Sequence, residues 1–404
     1  MTAFGRAIAE ARPRVVAALA ARLRDLDQAE DAFAEAAAAA LAAWPNQAPR
    51  DPGAWLWRAA LRKALDARRR AAVRARLVPD APEPPPTPEE ALMAADEPIP
   101  DERLRLIFVC CHPALALDAR AALTLKVVCG LSAERLARAF LVPEPTMLQR
   151  ITRAKTKIAA AGVPFEVPSP AAWPERIEAV LATLEIAYAQ AYEDAALAGD
   201  TAGFAAEVLR LSGLLAELLP DDPEVLALAA LVRFAEARRP ARLDDSGAMV
   251  PPHEQDVGLW RRDLIAAGVR LMDRAAGLGR SGPRQVLAAI HGAHLTRAET
   301  GATPWRDIAA LYDVLLALRP TPVTAVNRAV AIGEAFGPDQ GLAALAQVGP
   351  ERLQAWLPYH AARAGLFAAA GEAVEARAAL DAALALRPPP AERLYLERRR
   401  RSLG

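Results

Sequence analysis

GLSAERLARAFLVPEPTMLQRITRAKTKI, residues 130–158, decides how this chain is read. It predicts two short helices joined by a tight turn. The first runs from Ser132 to about Phe140, with the Ser132 hydroxyl placed to accept an orphan N–H of the first turn. Leu136, Ala137 and Phe140 form its apolar stripe. Leu141-Val142-Pro143 breaks the pattern, and Pro145 then stands where a first-turn residue tolerates a missing N–H. In the second helix Met147, Ile151, Ala154 and Ile158 recur at intervals of four, three and four. Its other face carries Thr146, Gln149, Arg150, Thr152, Arg153, Lys155 and Lys157, with no carboxylate among them. Such a helix suits a DNA major groove, its N-terminal half on base edges and its later cations on phosphates. The plainer alternative is a helical hairpin with a solvated basic face.

The 404-residue chain is too long for one small core, and its Ala-rich, 53% hydrophobic composition predicts an all-α protein of two or three domains. The net charge is zero, but its distribution is not even. Residues 1–78 and 101–161 together hold 24 Lys+Arg against 13 Asp+Glu, whereas 79–100 holds six acids and no base. The remainder is mildly acidic. A basic front half and an acidic back half predict different partners for each. Three cysteines make no disulfide framework and fit a cytoplasmic protein. The charged N-terminus does not read as a signal peptide, and no uncharged apolar run of about 18 residues predicts a membrane span.

Helices are expected at about 4–24, 27–43 and 52–76, giving a first domain at 1–78. WPNQAPRDPG, residues 44–53, separates the last two, because its three prolines and one glycine cannot continue a helix. Residues 79–100 read as a Pro-rich acidic linker and 101–161 as a second helical domain containing the hairpin. Residues 162–404 read as a helical remainder. Within it, Ala364, Phe367, Gly371, Ala376, Leu380, Ala383 and Pro388 match the spacing of a tetratricopeptide helix pair. Helix-to-proline endings at 308–320 and 211–240 suggest further pairs, stacked as an irregular solenoid or gathered in a plain bundle.

AEDAFAEA at 29–36, DPGAWLWRAALRKALDARRR at 51–70, DERLRLIFVCCHPALALDARAALTLKVVCGLS at 101–132 and LVPEPTMLQRITRAKTKI at 141–158 resemble the extracytoplasmic-function (ECF) group of RNA polymerase sigma factors. The CCHPAL run and the long tail resemble the subgroup with a C-terminal tetratricopeptide-like extension. That resemblance implies sigma region 2 at 1–78, sigma region 4 with a helix-turn-helix at 101–161, and core RNA polymerase and promoter DNA as partners. It implies polymerase docking through Asp27, Glu30, Asp31 and Glu35. The −10 element would meet Asn46, Gln47 and Arg50 of the loop and Arg58, Arg62, Lys63, Arg68, Arg69 and Arg70 of the helix after it. The −35 element would meet Thr146, Leu148, Gln149, Arg150, Thr152, Arg153, Lys155 and Lys157. Of these, Leu148, Gln149, Thr152 and Arg153 would face bases, and Arg150, Lys155 and Lys157 would favour phosphates. Arg153 suits guanine O6 and N7, Gln149 suits adenine, and the Thr152 methyl suits thymine. Trp55, Leu56 and Trp57 are expected in the core. The tail would serve as a sensor or specificity module with an unknown protein or peptide partner.

Cys110-Cys111-His112 lacks the C-x₂₋₄-C spacing of zinc sites, so burial is the expected role, as it is for His291 and His294. No phosphate loop, nucleophile elbow or paired carboxylates emerge, so neither an enzyme nor a cofactor is expected. Two other readings stay open: a sigma-like scaffold whose helical tail does the work, and a conventional regulator on duplex operators.

Overall fold

The computed structural model describes residues 3–45, 49–75, 102–128, 130–140, 142–163, 172–194, 202–349 and 353–403. The described residues are helices and turns, with one isolated bridge between Leu243 and Met249 and no strand. They fall into two units, 1–190 and 191–404.

The first unit opens with α1 (Ala3–Leu23), α2 (Leu26–Ala43) and α3 (Pro52–Ala75), which pack on one another. Asp25 starts α2, its carboxylate accepting the N–H groups of Asp27 and Gln28 at 2.9 and 3.0 Å. Val15, Leu19, Phe33, Leu56 and Leu61 fill the core. Trp44 closes its end, edge-on to both Phe4 and Trp55. Trp57 is buried, and Trp55 is half-buried against Trp44. Then come α4 (Arg103–Cys110), α5 (Leu117–Val127), α6 (Ala133–Ala139) and α7 (Glu144–Ala160). α4 packs on α1 as well as α5, so these helices form one unit with the first three. α8 (Trp173–Asp194) follows, and Arg176 donates to the Phe108 carbonyl at 2.6 Å. The first unit runs on to Gln190, and the Trp173 ring lies against that of Phe108, 6.2 Å between centres. The acidic linker 79–100 lies outside the described residues.

The second unit contains α9 (Ala202–Leu218), α10 (Pro223–Ala237), α11 (Arg262–Gly277), α12 (Pro283–Leu295), α13 (Arg297–Thr300) and α14 (Trp305–Leu318). It continues with α15 (Pro322–Phe336), α16 (Pro338–Ala346), α17 (Leu357–Ala369), α18 (Ala373–Ala385) and α19 (Pro390–Ser402). Most helices pack on their sequence neighbours, and α10 also packs on α12, and α12 on α14. The core is accordingly divided into successive clusters: Ile290 with Ile308, then Val326 with Tyr359 and Leu366, then Ala364 with Leu380 and Leu396. In the α17–α18 pair, Ala364, Ala376, Leu380 and Ala383 are buried between the helices. Gly371 turns the chain at φ 82°, a left-handed backbone that a side chain would strain.

Candidate nucleic-acid interface

The periodicity of α7 sorts its side chains. Met147, Ile151, Ala154 and Ile158 are all buried, at 0–5% exposure, against α5 and α6. Thr146, Leu148, Gln149, Thr152, Arg153 and Lys157 are exposed on the opposite side. The structure thus presents the four expected base readers to solvent together with Lys157. Leu148 is 48% exposed, an apolar group on a polar surface.

Arg150 and Lys155 are placed differently. Each lies three or four residues from members of the apolar stripe, so their stems run along its borders. Arg150 is half-buried, with its guanidinium 5.9 Å from the Phe140 ring centre and 3.9 Å from Asp118. Lys155 turns towards α2 and donates to Asp27 at 2.5 Å and Glu30 at 2.8 Å. In this arrangement a residue expected on phosphate and two expected on polymerase occupy one another.

That junction is built further. Arg12 of α1 pairs with Glu30 at 2.7 Å, covers the Phe33 ring at 5.3 Å and reaches the Lys126 carbonyl. Gly130 leaves room for it: a Cβ there would stand 2.4 Å from Arg12 Cδ. Burial lowers the Lys126 ammonium from its ordinary value, partly opposed by Glu30. Burial also pushes Lys155 down, but Glu30 and Asp27 more than offset it, so its ammonium is held above the usual lysine range. Arg12 and Lys126 carry no motif; their role arises only where α1, α2 and α5 meet.

Along α3, Arg58, Arg62, Lys63 and Arg70 are exposed, and Arg69 is half-buried. Lys63 lies 3.5 Å from Glu35. Arg68 follows Leu61, Ala64 and Leu65 on the buried face and turns back to α1. It donates to the Leu23 carbonyl at 2.6 Å and to Gln28 Oε1 at 3.1 Å, satisfying a carbonyl at the helix end. Arg50 is exposed, as are Asp31 and Glu35 on α2, whereas Glu30 is only 11% exposed. Asn46 and Gln47 lie outside the described residues.

Cys110 and Cys111 are buried thiols. Burial pushes the Cys111 thiol up, against the opposing effect of the hydrogen bond that its sulfur shares with Thr124 at 3.2 Å. Cys129 lies outside the described residues. In the second unit, His291 Nδ1 meets an Arg238 nitrogen at 3.1 Å, and His294 packs edge-on to Trp305. No group of three His, Cys, Asp or Glu side chains among the described residues is arranged to hold a metal. None of the described helices is long and apolar enough to cross a membrane.

Two cationic helical segments, the second with a helix-turn-helix whose polar face is open, are an arrangement suited to binding DNA. Residues 7–74 match Sigma-70 region 2 and residues 105–158 match Sigma-70, region 4. Residues 176–276 match a family of unknown function, DUF6596. A relative from Rhizobium meliloti (strain 1021), described as uncharacterized protein R00370, is 40% identical over 96% of this chain and 93% of its own length. The chain belongs to the same family as that relative, and its Sigma-70 region 2 and region 4 domains are those of an RNA polymerase sigma factor, whose partners are core polymerase and promoter DNA. Its Sigma-70 domains are those of a transcription initiation factor. No solved structure matches the chain.

Proposed function

We propose that the chain is an ECF-type sigma factor, working in the cytoplasm, that reads two separated promoter elements. In this reading α7 enters the major groove of the −35 element with Leu148, Gln149, Thr152 and Arg153 on base edges. The loop 44–53 and the exposed cations of α3 capture and melt the −10 element. α2 docks on polymerase through its acidic surface, and the helical part beyond α8 is a tetratricopeptide-like regulatory module.

One observation carries this reading: α7 buries one complete apolar face and leaves Gln149, Thr152, Arg153 and Lys157 together on the other. An ordinary core hairpin has no need of a solvent face so free of carboxylates. Phosphate contacts by Lys157 would hold register while Arg153 and Gln149 discriminate bases. Engagement of Glu30 by polymerase and of Lys155 by DNA would each require their mutual ion pair to part, so binding would open the junction between the two modules.

Purified full-length protein added to core polymerase should start RNA synthesis at discrete promoters, with footprints at both elements. Arg153→Ala should cost about 1–3 kcal/mol of promoter affinity and relax the preference at one −35 base pair. Lys157→Ala should weaken all sequences alike and reduce the salt dependence. Absence of polymerase binding, or an Arg153→Ala protein with unchanged base preference, would sink the reading.

A further inference from the structure

α10 is buried along nearly its whole length; from Val225 to Ala237, Arg233 is its one residue not enclosed. Arg233 lines an open hollow of about 480 Å³ bounded by α9, α10 and α11. Gly213 of α9 makes the seat: a Cβ at that position would stand 2.9 Å from Arg233 Nη2. Ala216 and Ala267 also line it. At the rim, Arg270 and Arg274 stand one helical turn apart on α11, both exposed. Arg233 bonds the Ala229 carbonyl at 2.9 Å and Arg274 the Pro220 carbonyl at 3.5 Å. Neither contact neutralises a charge. Glu217 is the one carboxylate among the lining residues, it is exposed, and it forms no ion pair with the three arginines within 4 Å. Burial lowers the Arg233 guanidinium from its ordinary value, with Glu217 opposing, as expected of a cation stripped of water without a close counter-charge.

A long arginine emerging from a core to reach water would explain Arg233 alone. It does not explain why Arg270 and Arg274 line the same hollow. Like charges lining one hollow repel, and an anion between them relieves that repulsion. The volume lies within the usual range for small-molecule sites, and guanidinium is the side chain suited to carboxylate and phosphate oxygens in a fixed fork.

We infer that the cavity between α9, α10 and α11 binds a small, multiply charged anion bearing phosphate or carboxylate groups, held by Arg233, Arg270 and Arg274. This assigns a ligand class to the 176–276 region whose family has no stated function, and it goes beyond promoter reading. The site does not depend on whether α7 reads DNA, so each idea fails separately.

The test is calorimetric titration of the full-length protein with inorganic pyrophosphate and with citrate, at matched ionic strength. Saturable one-to-one binding of either probe is expected. Pyrophosphate alone would assign phosphate chemistry, citrate alone carboxylate chemistry, and both a general multi-anion site. Arg270→Ala and Arg274→Ala, both on exposed positions, should each weaken binding about tenfold, the loss of one charged hydrogen bond, with circular dichroism confirming the helices of both. Arg233→Met should abolish it, with circular dichroism confirming the helices. Arg262→Ala, on the same helix but outside the cavity, should leave binding unchanged. No saturable heat with either probe, or equal binding by wild type and the Arg270→Ala, Arg274→Ala double variant, overturns the proposal.

Discussion

Arg68, Arg150 and Lys155 stand beside apolar stripes at helical spacing, and all three are half-buried. Charge count assigns them to nucleic acid, but their angular position assigns them to the flanks of a core. Position 155 is four after Ile151 and three before Ile158, so its direction was already legible; what could not be read was that Asp27 and Glu30 would meet it. Buried histidines give a prediction at the same scale. Burial, reinforced by Arg238, holds His291 well below its ordinary value and His294 down to about 3. The unfolded chain takes up these protons near pH 6.5, whereas the native chain resists them. Between about pH 6.5 and pH 3 the unfolded state binds more protons, so stability falls as pH falls through that window. Each histidine should cost about 1 kcal/mol per pH unit below about pH 6. Urea melts at pH 7, 6 and 5 should show the decline, and His294→Gln should flatten it. A slope unchanged in that variant would remove His294 from the account.

At the scale of the element, glycine placement sets how closely α10 and α11 approach. A Cβ on Gly268 would lie 2.4 Å from the Phe234 ring, and Phe234 is 2% exposed. Gly to Ala in a helix interior is worth about 1 kcal/mol in propensity. Overpacking a closed core costs about 1–3 kcal/mol. The second effect is the larger, because a buried ring has nowhere to turn, so Gly268→Ala should lower stability by about 1–2 kcal/mol in denaturant melts. Gly277→Ala, where nothing lies within 4 Å of the added atom, should be neutral or mildly stabilising. α7 offers the parallel case in the first unit. Ile151 is 5% exposed, and Ile151→Ala should cost about 2–4 kcal/mol, whereas exposed Thr152→Ala should stay within about 0.5 kcal/mol. Equal losses at 151 and 152 would mean that the two faces of α7 are not distinct.

At the scale of the whole molecule, the junction of Arg12, Lys126 and Lys155 with Asp27 and Glu30 links helices 128 residues apart in sequence. Exposed ion pairs contribute little, but Glu30 and Lys155 are 11% and 16% exposed, so their coupling should exceed the surface value. A double-mutant cycle with Lys155→Ala and Glu30→Gln should give about 1–2 kcal/mol of coupling in urea melts. Coupling near zero would reduce the contact to a surface pairing. Much of this protein was legible in its residues. The helical class, the apolar stripes of α2, α3 and α7, the break at 44–53 and the burial of Trp57 follow from periodicity and side-chain polarity. These are local properties, because neighbours three and four apart share a face wherever the helix sits. The outward placement of Gln149, Thr152 and Arg153 follows in the same way. The inclusion of α8 in the first unit, the capture of Lys155 by α2, the seat of Arg12 beside Gly130 and the arginine-lined cavity over α10 were decided only in three dimensions. Each depends on which faces of distant helices meet, and charge and cavity at a meeting of helices belong to no single stretch of chain.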